Sequence, residues 1–246
     1  MPCRAVIFDC IGTLVNCRGY NMADSEAKLY SALTAEGFET EKDKFLEAYG
    51  EAHQKYHRIR YEQFREVTNA VWVSEALCNL GFKVVPEDRR VKTALNIFFQ
   101  DFIDTLELRE GAKQLLKQTI KQYRVGLISN FTHAPVIHKS LRKTNIHNYF
   151  NAVVISEEVE WRKPSRRIFR EALNRLQVQA HEAVFIGDSP LEDIKGAKEA
   201  GLRTIFVPSQ FNSLNDLVQS RQNPDEIVEK LENIPQKIGQ IFAVDP

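Results

Sequence analysis

The sequence predicts an α/β fold: a parallel sheet with helices on both faces, interrupted after its first strand by an all-helical insert. Two observations carry this. Strand-length apolar runs occur at 4–8, 124–129, 152–156, 183–187 and 203–207, and the last four alternate with segments of helical period such as 134–143 and 166–176. Roughly ninety residues separate the first run from the second, and they read as helix throughout.

The first run ends on Asp9, just before Cys10-Ile11-Gly12-Thr13-Leu14. A buried strand that stops on an acid presents an active site or caps a helix, and open α/β sheets do their chemistry outside the carboxyl ends of the strands. The insert is expected to contain amphipathic stretches at 22–36 and 42–60 and more apolar ones at 61–80 and 88–106. Its hinges fall near 15–19 and 107–111, giving a core of 1–16 with 108–246 and a helical domain of 17–107. The second run ends on Ser129-Asn130, a hydroxyl and an amide able to bind an oxyanion. Lys163 precedes a helix whose first turn Pro164 suits, where anions bind well. The run at 183–187 ends on Gly187-Asp188, and Asp193 follows at a helix start, an ordinary position for a capping acid. After Val207 the chain turns polar, and 224–242 reads as one or two closing helices broken at Pro235.

Composition narrows the function. Lys plus Arg and Asp plus Glu both number 33, so the chain has no bulk pull toward nucleic acid or anionic lipid. No apolar run has transmembrane length and the start lacks a secretory pattern. Cys3, Cys10, Cys17 and Cys78 include no Cys-x-x-Cys pair, which argues against a zinc site or disulfide framework and fits a cytoplasmic setting. A buried, inert Cys10 is the commoner outcome beside such an acid. His53 and His57 lie four apart on the insert with no third metal ligand evident, and a solvated helix face is the simpler reading.

Asp9, Asp188 and Asp193 would repel one another in one crevice unless a cation sat between them. Mg2+ takes oxygen ligands and binds substrate phosphates, and Lys163 adds a second positive charge. The ordered set of Asp9, Ser129, Lys163 and Asp188 with Asp193 resembles the four motifs of the haloacid dehalogenase-like hydrolase superfamily, over 5 to about 207. The resemblance implies a Rossmann-like core, with the insert as a cap domain, and a Mg2+-dependent phosphatase acting through an aspartyl-phosphate intermediate on a small phosphorylated metabolite. It implies Asp9 as nucleophile, Ser129 as the hydroxyl on the transferring group and Lys163 as the neutralising cation. It further implies that Asp9, the Ile11 carbonyl, Asp188 and Asp193 hold the metal and that Gly12, Thr13 and Asn130 contact substrate. The partner expected is a small molecule, not nucleic acid or membrane, with the chain a monomer or homodimer.

One position departs from the pattern. Ile11 stands where the phosphatases carry the acid that protonates the leaving group, a task worth about 10²–10⁴-fold. Two alternatives follow: a 2-haloacid dehalogenase, whose halide needs no proton, or a catalytically weak binding or regulatory relative.

Overall fold

The computed structural model describes residues 2–243. The chain divides into two compact units, Met1–Cys17 with Glu107–Pro246, and Arg18–Leu106.

In the first unit, β1 (Ala5–Phe8) is fully buried along its length. After the Asp9–Leu14 turn comes β2 (Val15–Cys17). The second unit then supplies α1 (Met22–Ala35), α2 (Lys42–Lys55), α3 (His57–Tyr61), α4 (Asn69–Asn79), α5 (Arg89–Phe98) and α6 (Gln100–Asp104). The core resumes through β3 (Leu106–Leu108), α7 (Ala112–Thr119), β4 (Arg124–Ser129), α8 (Ala134–Lys143), β5 (Ala152–Ile155), α9 (Ser156–Val159), α10 (Arg166–Leu176) and β6 (Ala183–Gly187). A π-helical turn, Pro190–Lys195, leads into α11 (Gly196–Glu199), β7 (Arg203–Phe206), α12 (Leu214–Ser220), β8 (Glu226–Ile227) and α13 (Ile234–Ala243).

The main sheet has the order β5-β4-β1-β6-β7-β8, and every pair is parallel. Continuous apolar runs suit strands covered on both faces. Ala5, Ile7 and Phe185 pack with Ile168, Phe169, Ala172 and Leu176 of α10. The chain fills β4 and β5 on one side of β1, then crosses to β6 on the other. That reversal makes a switch point at β1, where α/β sheets open a crevice.

The helical unit has its own core. Leu29 and Leu33 of α1, Phe45 and Tyr49 of α2, Trp72 and Leu77 of α4, and Val91, Leu95 and Phe98 of α5 are all buried. Asn21, Thr68 and Asp88 cap α1, α4 and α5 through their side chains.

Several sequence expectations shift. The helix expected over 42–60 divides at Tyr56, where Lys55 Nζ and Tyr56 Oη both donate to Glu75 of α4, at 2.6 and 2.5 Å. The helix expected over 61–80 starts only after the Thr68 cap, and the one over 88–106 divides at Phe99. β2 and β3 pair in a small sheet of their own, at the two stretches expected to act as hinges. Strands of three residues carry too little periodicity to be read. Pro235 opens α13 rather than breaking it, since the first turn needs no amide donor there. The Ser213–Asp216 capping box announces α12, which polarity hid.

Candidate active site

Three neighbouring strands bring the chemistry together. β1 lies between β4 and β6, with Phe8 opposite Leu127 on one side and Ile186 on the other. Asp9 leaves β1 with its amide donating to the Ile186 carbonyl at 2.9 Å. Asp188 leaves β6 one residue after Gly187, and Ser129, buried, is the last residue of β4. Carboxylate oxygens of Asp9, Asp188 and Asp193 all lie within 4.8 Å of one another, and all three residues are buried.

Lys163 joins two of them. Its Nζ donates to Asp9 Oδ1 and Asp193 Oδ1, both at 2.6 Å, and reaches the Ile128 carbonyl at 3.4 Å. The side chain is 2% exposed, with the ammonium 5.5 Å from the Phe185 ring centroid. Helix α10 begins at Arg166, where the periodicity places it, and not at Pro164. Ser165 caps it, so Pro164 lies ahead of the first turn and the lysine serves carboxylates rather than the helix end.

Asn130, expected at the substrate, has its amide engaged elsewhere. Its Oδ1 accepts from the Lys163 amide at 2.7 Å, and its Nδ2 donates to the Lys163 carbonyl at 3.0 Å and to Glu192 Oε2 at 2.9 Å. Glu192 in turn accepts from buried Arg162 at 2.9 Å. The amide therefore clamps the backbone that carries the ammonium.

Asp193 does more than cap. Its Oδ2 accepts from the Ser189 amide at 2.9 Å while Oδ1 holds Lys163, and the Ser189 hydroxyl is the cap of the π-helical turn. A side chain at Gly187 would put its Cβ 2.4 Å from Asp193 Oδ2, so only glycine lets that carboxylate close on the strand. Gly12 has φ +102°, and a Cβ there would lie 2.4 Å from Asp188 Oδ2. Thr13 Oγ1 donates to Asp188 Oδ1 at 3.4 Å. Gly12 and Thr13 thus border Asp188. Ile11, half-buried, bridges to Val15.

Burial raises the Asp9 carboxyl to about 6, despite the Lys163 ammonium, and Asp188 adds repulsion. Burial likewise raises Asp193 to about 7 against the pull of Lys163, with Asp9 repelling it, and pushes Asp188 upward. Burial works against the Lys163 charge, but Asp193 and Asp9 outweigh it and hold the ammonium protonated. One cation therefore faces three acids. Asp9 Oδ2 is buried with no hydrogen-bond partner among the described residues, an expensive arrangement for a carboxylate oxygen. Oxygen ligands of this kind, in negative excess, fit a hard divalent cation. Among the described residues this is the one cluster of three metal-ligating side chains. His53 instead packs edge-on to Trp72 at 4.7 Å, and Cys10 is fully buried with its thiol pushed far up by burial.

Sequence reasoning missed Arg109, Arg162, Glu192, Ser209 and Asn212. Ser209 and Asn212 sit in the loop directly after β7, and its position outside a strand's carboxyl end was the available signal. Arg109 and Glu192 act through contacts distant in sequence and left no local trace.

Comparisons with known proteins show the family. Residues 3–201 match the model of the haloacid dehalogenase-like hydrolase family. A glyceraldehyde 3-phosphate phosphatase of Methanothermobacter thermautotrophicus is 30% identical over 211 residues, 85% of this chain and 87% of that protein. The haloacid dehalogenase-like hydrolase domain-containing protein 3 of Mus musculus is 26% identical over 212 residues, 84% of this chain and 82% of its own length. The fold superposes on a 2-haloacid dehalogenase of Pseudomonas syringae with TM-score 0.69 at 22% identity, over 97% of this chain and 99% of that one. With its motifs on adjacent strand ends and a family match over most of its length, the chain belongs to the haloacid dehalogenase-like hydrolases and is a hydrolytic enzyme.

Proposed function

We propose that the protein is a Mg2+-dependent phosphatase acting on a small phosphorylated metabolite. One observation carries the reading: three buried carboxylates within 4.8 Å of one another, with a single ammonium against two of them. A relative 30% identical over most of both chains is a phosphatase by name, which supports the same chemistry. Residues 1–16 with 108–246 are the catalytic core in this reading, and 17–107 the cap.

Asp9 is the nucleophile. Its carboxylate oxygen attacks phosphorus, the bond to the leaving oxygen breaks, and an aspartyl phosphate forms, which water then hydrolyses. Asp9, the Ile11 carbonyl, Asp188 and Asp193 are the residues that would hold Mg2+. The ion supplies charge neutralisation for an anionic nucleophile meeting an anionic phosphate. Lys163 contributes a second positive charge at Asp9, and Ser129 offers its hydroxyl to the phosphoryl oxygens. Asn130 fixes the lysine that meets the substrate. Ile11 carries no proton, so the leaving group departs without help from that position, and good leaving groups are favoured.

The dehalogenase reading is less well supported. A halide-releasing site has no use for an acid such as Asp188 beside two others, where a second anion would enter as substrate. The test is phosphate release from a panel of sugar phosphates, acyl phosphates and aryl phosphates, with chloride release from 2-chloropropionate alongside. Phosphate release that needs Mg2+, stops with chelator and vanishes in Asp9→Asn is the expected result. Chloride release insensitive to chelator would reject it.

A further inference from the structure

We propose that Ser209 and Asn212, in the loop after β7, are positioning residues that set the metal affinity of the site by holding Asp188. The inference rests on the reading of Asp188 as a Mg2+ ligand and asks what fixes that ligand.

The geometry of Ser209 leaves its hydroxyl one role. Ser209 Oγ accepts from the Phe211 amide at 2.9 Å and from the Asn212 amide at 3.2 Å. A hydroxyl has two lone pairs and one proton. Both lone pairs being engaged, the proton goes to Asp188 Oδ2, 2.5 Å away. The Asn212 side-chain Nδ2 donates to the same Asp188 oxygen at 3.1 Å. The Ser209 amide bonds the Asn212 carbonyl at 2.8 Å, closing the loop on itself. Oδ2 thus takes two donors from one preorganised turn, while among the described residues Oδ1 has only the long contact from Thr13. The carboxylate is fixed with one oxygen satisfied and the other turned toward Thr13.

Arg109 braces the same region. Its Nη2 donates to the Pro208 carbonyl at 2.8 Å and its Nη1 to the Gly12 carbonyl at 2.9 Å. Pro208 opens the Asp188-binding loop, and Gly12 packs against the Asp188 carboxylate. One guanidinium therefore ties together the backbone on two sides of the ligand. Outer partners of metal-bound carboxylates typically matter by about 10–100-fold in metal affinity.

The experiment is calorimetric titration of the full chain with MgCl2, run beside thermal melts without metal. Ser209→Ala is expected to weaken Mg2+ binding by about 10–100-fold, and Asn212→Ala by a smaller factor. Ser209→Thr keeps the hydroxyl and restores affinity. Phe211→Ala removes a half-exposed ring but keeps the backbone donor, and leaves affinity unchanged. Metal-free melting temperatures stay close to wild type across the set, which a merely structural role would not produce. Wild-type affinity in both Ser209→Ala and Asn212→Ala would overturn the inference while leaving the metal reading intact. A wild-type chain that takes up no Mg2+ overturns both.

Discussion

The core and the helical unit both bury charge, and they do so with opposite balances. In the helical unit, Arg60 Nε meets Glu66 Oε1 at 2.9 Å, with side chains 9% and 1% exposed, and the guanidinium lies 4.9 Å from the Trp72 ring centroid. There a buried cation meets a buried anion directly. In the core, Lys163 bonds two of three clustered carboxylates. A matched pair needs no further explanation than packing and specificity. An unmatched set, kept in place by glycines and dedicated donors, costs stability and marks a site that does something with its excess charge.

Removing a partner tests that contrast most strongly. Lys163→Met leaves the acids without their ammonium, and stripping one partner from a buried ionic set costs about 3–5 kcal/mol. Urea unfolding without metal is expected to register a loss of that order, with Mg2+ restoring part of it. Glu66→Ala in the helical unit is expected to lower stability similarly, but Mg2+ restores none. Equal rescue of both variants would erase the distinction between the two regions.

Supplying the missing proton donor sharpens the role of the core. Ile11→Asp is expected to raise hydrolysis of alkyl phosphates by about 10²-fold and of aryl phosphates much less, because a good leaving group needs no proton. An equal gain on both would indicate that the new acid acts through the metal or the fold rather than on the leaving oxygen.

The smallest effect is on pH dependence. Burial raises Asp9 to about 6 and Asp193 to about 7, whereas unfolded carboxylates titrate near about 4. The folded chain then binds protons that the unfolded chain has released. Without a divalent ion, the contribution of these groups to stability falls as pH rises from about 4 through about 7. Mg2+ competes with those protons, so its thermal upshift should grow from pH 5 to pH 8, reaching about 5–10 °C at 100-fold excess over Kd. A shift independent of pH would disconnect the ion from these carboxylates.

Much of the architecture was legible in the chain. Strands β4 and β6, and helices α8 and α10, match their sequence boundaries because continuous apolar runs and strong helical periodicity are local signals. Asp9 and Asp188 were legible for the same reason, each ending such a run. β2, β3 and β8 were not, being two or three residues long, and α12 hid in a polar stretch that only its capping box betrays.

By itself the sequence determined which groups stand at strand ends: an acid after β1, a hydroxyl at the end of β4, an acid after β6. Only the tertiary structure decided which groups meet. Lys163 reaches Asp9 across 154 residues, Arg109 joins Gly12 to Pro208, and Ser209 turns its one proton to Asp188. Asn130 illustrates the division. Its place beside Ser129 suggested an oxyanion contact, but a side-chain amide bonds whatever backbone folds against it, and here that backbone belongs to Lys163. Strand-end positions follow from local hydrophobic pattern, whereas hydrogen-bond partners depend on contacts that no local pattern encodes.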